Sequence, residues 1–264
     1  MLRIEDISKT FNPDTINEKK AIRGINLHLY KGDFVTVIGS NGAGKSTLMN
    51  LIAGGHPVDA GTISIDGNDV TKLSENERAT FIGRVFQDPM AGTAPTMSIE
   101  ENLSMAYQRG KKRGFRLALN RQLREFFQSS LEVLELNLEN RLQSKVGLLS
   151  GGERQALSLL MATFTNPKLL LLDEHTAALD PKRAELITRL TEKIVKQNHL
   201  TTLMITHNMD QALRLGNRLL MMHQGEIVLE LSEIEKAKMK SRDLIEAFAR
   251  LKGEDFVDDR VALG

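Results

Sequence analysis

Apolar and polar positions alternate near the start of the chain, and this pattern predicts strands. Alternation over residues 26–30 and the short apolar run at 34–38 predict two of them. Residues 62–65, the turn Asp66-Gly67-Asn68 and residues 69–71 together predict a hairpin, because Asp-Gly adopts the positive φ that a tight turn needs. We therefore expect the first part of the chain to be rich in β-structure.

The middle of the chain has a helical pattern, and the last third returns to strands. Between residues 98 and 164 apolar side chains recur at spacings of three and four, which predicts helices. Residues 169–172 and 202–206 form runs typical of buried strands, and a helical stretch at 181–197 separates them, so we expect parallel strands joined by a crossover helix. The last predicted elements are a hairpin of residues 218–222 and 227–231 with a turn at Gln224-Gly225, then one helix and a tail from residue 236.

Composition limits the possible functions. The 264 residues include 35 Lys plus Arg and 34 Asp plus Glu, which gives a net charge of +1. The chain therefore lacks the basic field of a dedicated nucleic-acid binder. The count of zero Cys excludes disulfides, thiolate metal sites and a Cys nucleophile. Apolar runs stay far below the ~20 residues that cross a bilayer, and the start lacks a signal-peptide pattern, so a cytoplasmic chain is expected.

A glycine-rich run is the main candidate for a binding site. It reads Gly39-Ser40-Asn41-Gly42-Ala43-Gly44-Lys45-Ser46, follows a predicted strand and precedes a helix predicted at 47–53, which matches the phosphate-loop pattern in its required context. The glycines let backbone N–H groups turn toward phosphate oxygens, and the helix that opens at Thr47 adds its positive end. Lys45 would reach the β- and γ-phosphates, and the Ser46 hydroxyl would ligate Mg²⁺. A chance glycine-rich turn is the alternative, and the strand–helix context disfavours it.

A pair of carboxylates follows the predicted strand at 169–172. The strand would deliver Asp173 and Glu174 to the ligand crevice beside the phosphate loop. Asp173 would hold Mg²⁺ through water, and Glu174 would polarise an attacking water as general base. Taken alone, the pair is more often a solvated strand end, and the phosphate loop reverses that preference.

Between these motifs lies Leu149-Ser150-Gly151-Gly152-Glu153, and with it the sequence resembles the ABC-transporter ATPase family over about residues 2–231. The resemblance assigns roles to further residues. It implies that Phe11 stacks on adenine, and that Gln87 senses Mg²⁺ and links the core to the helical insertion. It also implies that Ser150, Gly151 and Gly152 form the signature motif. By the same resemblance, Asp180 lies in the D-loop and His207 is the switch histidine.

The resemblance also implies a fold and an assembly. The expected fold is an α/β P-loop NTPase with a mixed-sheet core, an N-terminal antiparallel β subdomain and an inserted α-helical subdomain. The ATPase domain would cover residues 1–235 with the insertion at about 88–164, and residues 236–264 would form a C-terminal helix and tail. Two copies would pack head to tail, so that the signature motif of one closes on the ATP held by the other.

Several of these residues also have simpler interpretations. Ser150 could merely cap the helix predicted at 153–164, Phe11 could belong to the core, and His207 could be structural. The sequence departs from the family at Glu153, where Gln is commoner, and at His175, where Pro is usual. His175 resembles a metal ligand by type, but no second His lies near it in sequence.

The leading hypothesis is the ATP-binding and hydrolysing subunit of a multi-subunit bacterial ABC transporter. We expect an importer of a small solute such as an amino acid, with transmembrane permease subunits docked near residues 88–105. An extracytoplasmic substrate-binding protein would act through the permease. Nucleic acid is not expected as a partner. The chain would lie at the cytoplasmic face of the membrane. The basic stretch at 109–124 is either a solvated face or a contact with lipid or an acidic partner. Alternatives are extraction of lipid or lipoprotein, and a soluble scaffold ATPase of the iron–sulfur assembly type.

Overall fold

The computed structural model describes residues 1–110 and 120–252, and these divide into two compact units. Unit 1 comprises Met1–Arg78 together with the described residues from Thr201 onward, and unit 2 comprises Ala79–Leu200. Within the described part of the chain, no helix is long and apolar enough to cross a membrane.

The described chain begins with three strands, has three successive α-helices in its middle and ends with two helices. The strands are β1 (Leu2–Phe11), β2 (Lys19–Leu29), β3 (Phe34–Gly39), β4 (Ala60–Ile65), β5 (Asn68–Asp69), β6 (Ile82–Val85), β7 (Leu169–Asp173), β8 (Thr201–Ile205), β9 (Arg218–His223) and β10 (Glu226–Ser232). The helices are α1 (Lys45–Ala53), α2 (Glu75–Arg78), α3 (Ile99–Tyr107), α4 (Arg121–Glu132), α5 (Gly151–Thr163), α6 (Pro181–Gln197), α7 (Met209–Arg214), α8 (Glu233–Lys236) and α9 (Ser241–Lys252).

An antiparallel sheet in unit 1 has the strand order β2-β1-β4-β5. Leu2, Ile4 and Ile7 of β1 are buried, and charged residues lie between them, so one face of this sheet packs on the core while the other meets water. The predicted hairpin is confirmed: β4 pairs antiparallel with β5 through a turn in which Asp66 and Gly67 have φ of 53° and 82°.

A second sheet region of unit 1 surrounds β3, whose residues are all buried. β3 pairs in parallel with β8 on one side and with β9 on the other, and β10 pairs antiparallel with β9. The closing hairpin is confirmed, and its turn places Gln224 and Gly225 at φ of 46° and 85°. Parallel and antiparallel pairing therefore coexist in this region.

Unit 2 combines a parallel strand pair, β6 and β7, with a group of helices. Helices α3, α4 and α5 pack against one another around an aromatic cluster in which the rings of Phe127 and Phe164 stack with centroids 5.8 Å apart. The helices predicted between residues 98 and 164 are α3, α4 and α5, and short 3₁₀ turns at Leu138–Asn140 and Val146–Leu148 separate α4 from α5. Most of the basic stretch, residues 111–119, lies outside the described residues.

Some predicted helix limits are wrong by a few residues, and end-capping explains the differences. Helix α1 begins at Lys45 rather than at residue 47, because Gly44 in a left-handed conformation opens it. Helix α5 begins at Gly151 rather than at residue 153, because the Ser150 side chain caps it. The C-terminal helix begins at Ser241, after the short α8, and the predicted tail lies outside the described residues.

The C-terminal helices are part of the core of unit 1. Leu244 and Phe248 of α9 pack in one cluster with Met209 of α7 and Met221 of β9. The buried Lys236 ammonium donates hydrogen bonds to the carbonyl oxygens of Leu215 and Gly216, just after α7. Burial lowers the pKa of Lys236 to about 8.

A buried guanidinium holds the end of helix α1. The fully buried Arg78 donates to the carbonyl oxygens of Leu51 and Ile52 at 2.7 and 2.9 Å, and also to those of Thr71 and Leu73. Burial lowers the pKa of Arg78 below its ordinary value. The Leu51 and Ile52 carbonyls belong to the last turn of α1, where the Gly54 N–H also donates to the Leu51 carbonyl at 3.3 Å. The Arg78 side chain adds to this cap and joins the end of α1 to α2.

We expect Arg78→Met to lower the free energy of unfolding by about 3 kcal/mol or more, because four carbonyls in this buried or half-buried position would each lose a charged donor. Arg78→Lys should lose nearly as much, since a single ammonium cannot reproduce the planar set of donors. Arg3→Met is the control, because Arg3 is exposed and forms a surface ion pair with the exposed Glu5. Equal urea midpoints for Arg78→Met and the control would contradict the argument.

The lowered pKa of Lys236 predicts a pH dependence of stability. The ordinary pKa of 10.5 applies to the unfolded chain and a pKa of about 8 to the folded chain, so between these values the unfolded chain binds more protons. The free energy of unfolding should therefore rise with pH across this window relative to that of Lys236→Met. Urea denaturation at several pH values measures the difference, and the exposed Lys238→Met is the matched control. Parallel pH profiles for wild type and Lys236→Met would exclude this contribution.

Candidate functional site

The phosphate-loop residues form a compact turn between β3 and α1 in unit 1. Gly42 and Gly44 have φ of 79° and 102°, conformations that residues with a side chain rarely adopt. The buried Lys45 ammonium lies inside this turn and donates to the carbonyl oxygens of Gly39 and Ser40 at 2.7 and 3.1 Å. The lysine is thus already held at the loop.

Two neighbouring segments of unit 1 support the loop from outside. A Cβ on Gly44 would lie 2.5 Å from the carbonyl oxygen of Ala21 in β2, so only glycine fits there. From the β9–β10 turn, the Gly225 N–H donates to the Ala43 carbonyl at 2.9 Å, and the Gly225 carbonyl accepts from the Arg23 N–H at 3.0 Å. The loop shape is therefore fixed by backbone contacts with β2 and with this turn.

The donor set of the loop fits a polyphosphate. No side chain caps the N-terminus of α1, and its first turn contains no acidic residue, so its N–H groups and the Lys45 ammonium create a positive region. Ser46 in that turn is exposed. Among the described residues, no three His, Asp or Glu side chains cluster as a metal site.

Unit 1 also contains Phe11 and His207. Phe11 ends β1, its ring meets the edge of the His56 ring at 5.3 Å, and the Lys9 ammonium lies 5.8 Å from its centroid. His207 stands between β8 and α7, where Asn208 caps α7 by accepting from the Gln211 N–H at 2.8 Å. The backbone beside the predicted switch histidine is thus held on its C-terminal side by this cap.

The predicted carboxylate pair lies at the end of β7 in unit 2, which extends from Leu169 to Asp173 as expected. An Asp173 carboxylate oxygen lies 3.5 Å from the Arg84 guanidinium, which itself lies over the Phe86 ring at 4.6 Å. Glu174 has a φ of 44°, in the left-handed region that few non-glycine residues occupy. The chain therefore turns sharply at the residue predicted as general base.

Gln87 is exposed just beyond β6, and its backbone is connected to the signature helix within the same unit. The preceding Phe86 carbonyl accepts a hydrogen bond at 3.1 Å from the side chain of Gln155, which is fully buried in α5. A shift of α5 would consequently move the backbone that precedes Gln87. Sequence reasoning missed Gln155, because a polar residue inside a helix does not indicate which backbone it contacts.

The signature residues open helix α5 with a capping box. The Ser150 hydroxyl accepts from the Glu153 N–H, and the Glu153 carboxylate accepts from the Ser150 N–H at 2.7 Å. Arg141 pairs with the same carboxylate at 2.8 Å. Although desolvation acts to raise it, these contacts hold the pKa of Glu153 below its usual value. A charged Glu in place of the commoner Gln therefore has a cationic partner, which sequence reasoning also missed.

The D-loop aspartate caps the next helix. An Asp180 carboxylate oxygen accepts from the Arg183 N–H at 3.1 Å, and Pro181 occupies the first position of α6. A Cβ on Gly152 would lie 3.1 Å from the Arg183 side chain. The first turns of α5 and α6 are therefore in close contact, which brings the signature motif and the D-loop together within unit 2.

His175 is buried, and its side chain contacts helix α6. It is 2 % exposed, and its Nε2 lies 2.9 Å from the Thr191 hydroxyl of α6. Desolvation lowers the pKa of His175 to about 4, so the ring is neutral near neutral pH.

Comparison with known proteins identifies the family. The ABC transporter family model matches residues 22–177. A tyrosine transport ATP-binding protein of Clostridioides difficile (strain R20291) is 44% identical over 94% of this chain and 98% of its own length. An aliphatic sulfonates import ATP-binding protein of Agrobacterium fabrum is 34% identical over 84% of this chain and 78% of its own.

Among solved structures, the dimeric ATP-binding cassette MJ0796 in a post-hydrolysis state with ADP and Pi superposes with a TM-score of 0.76. It is 28% identical and covers 88% of this chain and 99% of its own. The chain belongs to the ABC transporter ATPase family. It has the α/β P-loop NTPase fold predicted from the sequence, and it is an ATP-binding protein that hydrolyses ATP.

Proposed function

We propose that this chain is the nucleotide-binding subunit of an importer for an amino acid. The observation that carries the cargo class is the 44% identity with a tyrosine transport ATP-binding protein, because the alignment covers nearly the whole of both chains. The transport role itself is supported by the other import ATP-binding proteins among its relatives.

In this proposal the loop of unit 1 holds the nucleotide. Backbone N–H groups from Gly39 to Thr47 and the Lys45 ammonium bind the β- and γ-phosphates, with Ser46 as a ligand of Mg²⁺. The exposed loop positions and the uncapped start of α1 support this role. Phe11 offers an aromatic face for adenine.

The remaining predicted residues are assigned to the hydrolysis of the γ-phosphate. Asp173 and Gln87 complete the Mg²⁺ shell, Glu174 polarises the attacking water, and His207 donates a hydrogen bond to a γ-phosphate oxygen. The sharp turn at Glu174 supports a specialised role for that residue, since strained backbone is retained where function needs it.

A second copy of the chain completes each site. Ser150, Gly151 and Gly152 at the N-terminus of α5, together with the Asp180 segment, would contact the nucleotide held by the other copy. The contact between the first turns of α5 and α6 supports a joint role for these two segments. The dimer of the similar cassette supports the same assembly.

Permease subunits would recruit the chain to the cytoplasmic face of the membrane through the segment at 88–105, within the helical subdomain proposed at about 88–164. Met90 and Met105 are 42% and 47% exposed there, and flexible methionines suit a docked helix. An extracytoplasmic substrate-binding protein would act through the permease, and no role with nucleic acid is proposed. The ATPase domain would comprise residues 1–235.

Glu174→Gln should bind ATP like the wild type but hydrolyse it at least about 100-fold more slowly, because only the general base is lost. Lys45→Ala should instead weaken ATP binding by about tenfold or more, because its contact with phosphate exists in the ground state. Nucleotide titrations and single-turnover hydrolysis separate the two effects. Near-normal turnover by Glu174→Gln would refute its role as general base.

Cells that express the chain with its permease should accumulate labelled tyrosine, and Lys45→Ala should abolish uptake while the variant still fractionates with the membrane. The reason is that recruitment uses the helical subdomain, whereas transport needs ATP. Uptake of another amino acid instead of tyrosine would revise only the cargo. Wild-type protein found wholly in the soluble fraction with its permease present would favour a scaffold ATPase instead.

A further inference from the structure

The backbone of Glu174 is held in an unfavourable conformation by contacts of the next residues in the chain. Its φ of 44° is left-handed, and its carbonyl accepts from the Ala177 N–H at 2.9 Å, which closes a turn. A non-glycine residue remains in this region only when neighbouring contacts enforce it. The adjacent residue, His175, provides such a contact.

The His175 hydrogen bond has a defined direction. The Thr191 hydroxyl already donates to the Ile187 carbonyl at 2.8 Å within α6, so its oxygen is the acceptor for the imidazole at 2.9 Å. The proton of the neutral ring therefore lies on Nε2. Both side chains are buried, so no water competes for this bond.

Helix α6 is a rigid anchor for this bond. It is 17 residues long, is capped by Asp180, and buries Ile187, Leu190 and Ile194 on one face. Thr191 lies on this buried part of the helix. An apolar side chain could fill the position of His175 without the cost of desolvating an imidazole, so the directional bond is what the histidine adds.

We propose that His175 is a positioning residue: its hydrogen bond to Thr191 fixes the turn at Glu174 and so aims the carboxylate at the attacking water. This inference rests on the proposed role of Glu174 as general base. The bond acts in the hydrolytic step, because the residue next to it is the proposed general base and not a phosphate-binding residue.

Thr191→Val tests the bond, because it removes the acceptor and keeps the shape. We expect kcat to fall about tenfold while the KM for ATP stays within about twofold, since a misplaced base slows chemistry but not binding. Thr191→Ser should restore turnover. Thr188→Val is the matched control, because Thr188 is also buried in α6 and donates to the Ala184 carbonyl at 2.8 Å.

A double variant shows whether the bond acts through Glu174. In the Glu174→Gln background, Thr191→Val should not slow the residual single-turnover rate further. An additive loss there, or equal turnover of Thr191→Val and Thr188→Val, would overturn the inference while leaving the general-base assignment intact. Normal turnover by Glu174→Gln alone would refute that assignment instead.

Discussion

Helix α1 is anchored at both ends by contacts within unit 1, and the shape of the phosphate loop depends on this constraint. A loop of backbone donors binds phosphate only if its N–H groups already point inward, because ordering them on binding would consume the interaction energy. At one end Arg78 satisfies the terminal carbonyls of the helix. At the other end the loop is enclosed by β2 and by the Gln224-Gly225 turn. The buried position of Lys45 follows from this enclosure.

Unit 2 connects its candidate functional residues through helices α5 and α6. The capping box of Ser150 begins one helix and Asp180 begins the other. Gln155 on α5 reaches the backbone before Gln87, and Thr191 on α6 reaches the residue after Glu174. Each helix therefore presents an N-terminus at one end and fixes a loop residue further along. Movement of either helix would change more than one functional residue together.

The sequence predicts the fold and the motifs well because local signals encode them. The phosphate loop requires glycines at fixed spacing, buried strands are short apolar runs, and Asp-Gly marks a turn. A cap at Ser150 is also predictable from the sequence, although α5 begins two residues earlier than the apolar pattern indicates.

The long-range contacts of polar side chains could not be predicted. Arg78 lies in a charged stretch typical of solvent, yet it binds carbonyls more than twenty residues away in α1. His175 finds its partner 16 residues further along the chain, on the buried face of a helix. Periodicity describes which face of an element is apolar. It does not describe which buried polar atom meets which carbonyl.

The Gly225 turn has a consequence for the order in which the protein is made. β3 pairs with β8 and β9, and the loop after it receives a hydrogen bond from Gly225, so all three supports come from the last third of the chain. During synthesis the glycine-rich loop leaves the ribosome early and lacks these supports until residue 225 has emerged as well. A nascent or truncated chain that ends before residue 201 contains the complete phosphate-loop sequence and β2, but it lacks β8, β9 and the Gly225 turn, which support the loop and the strand before it.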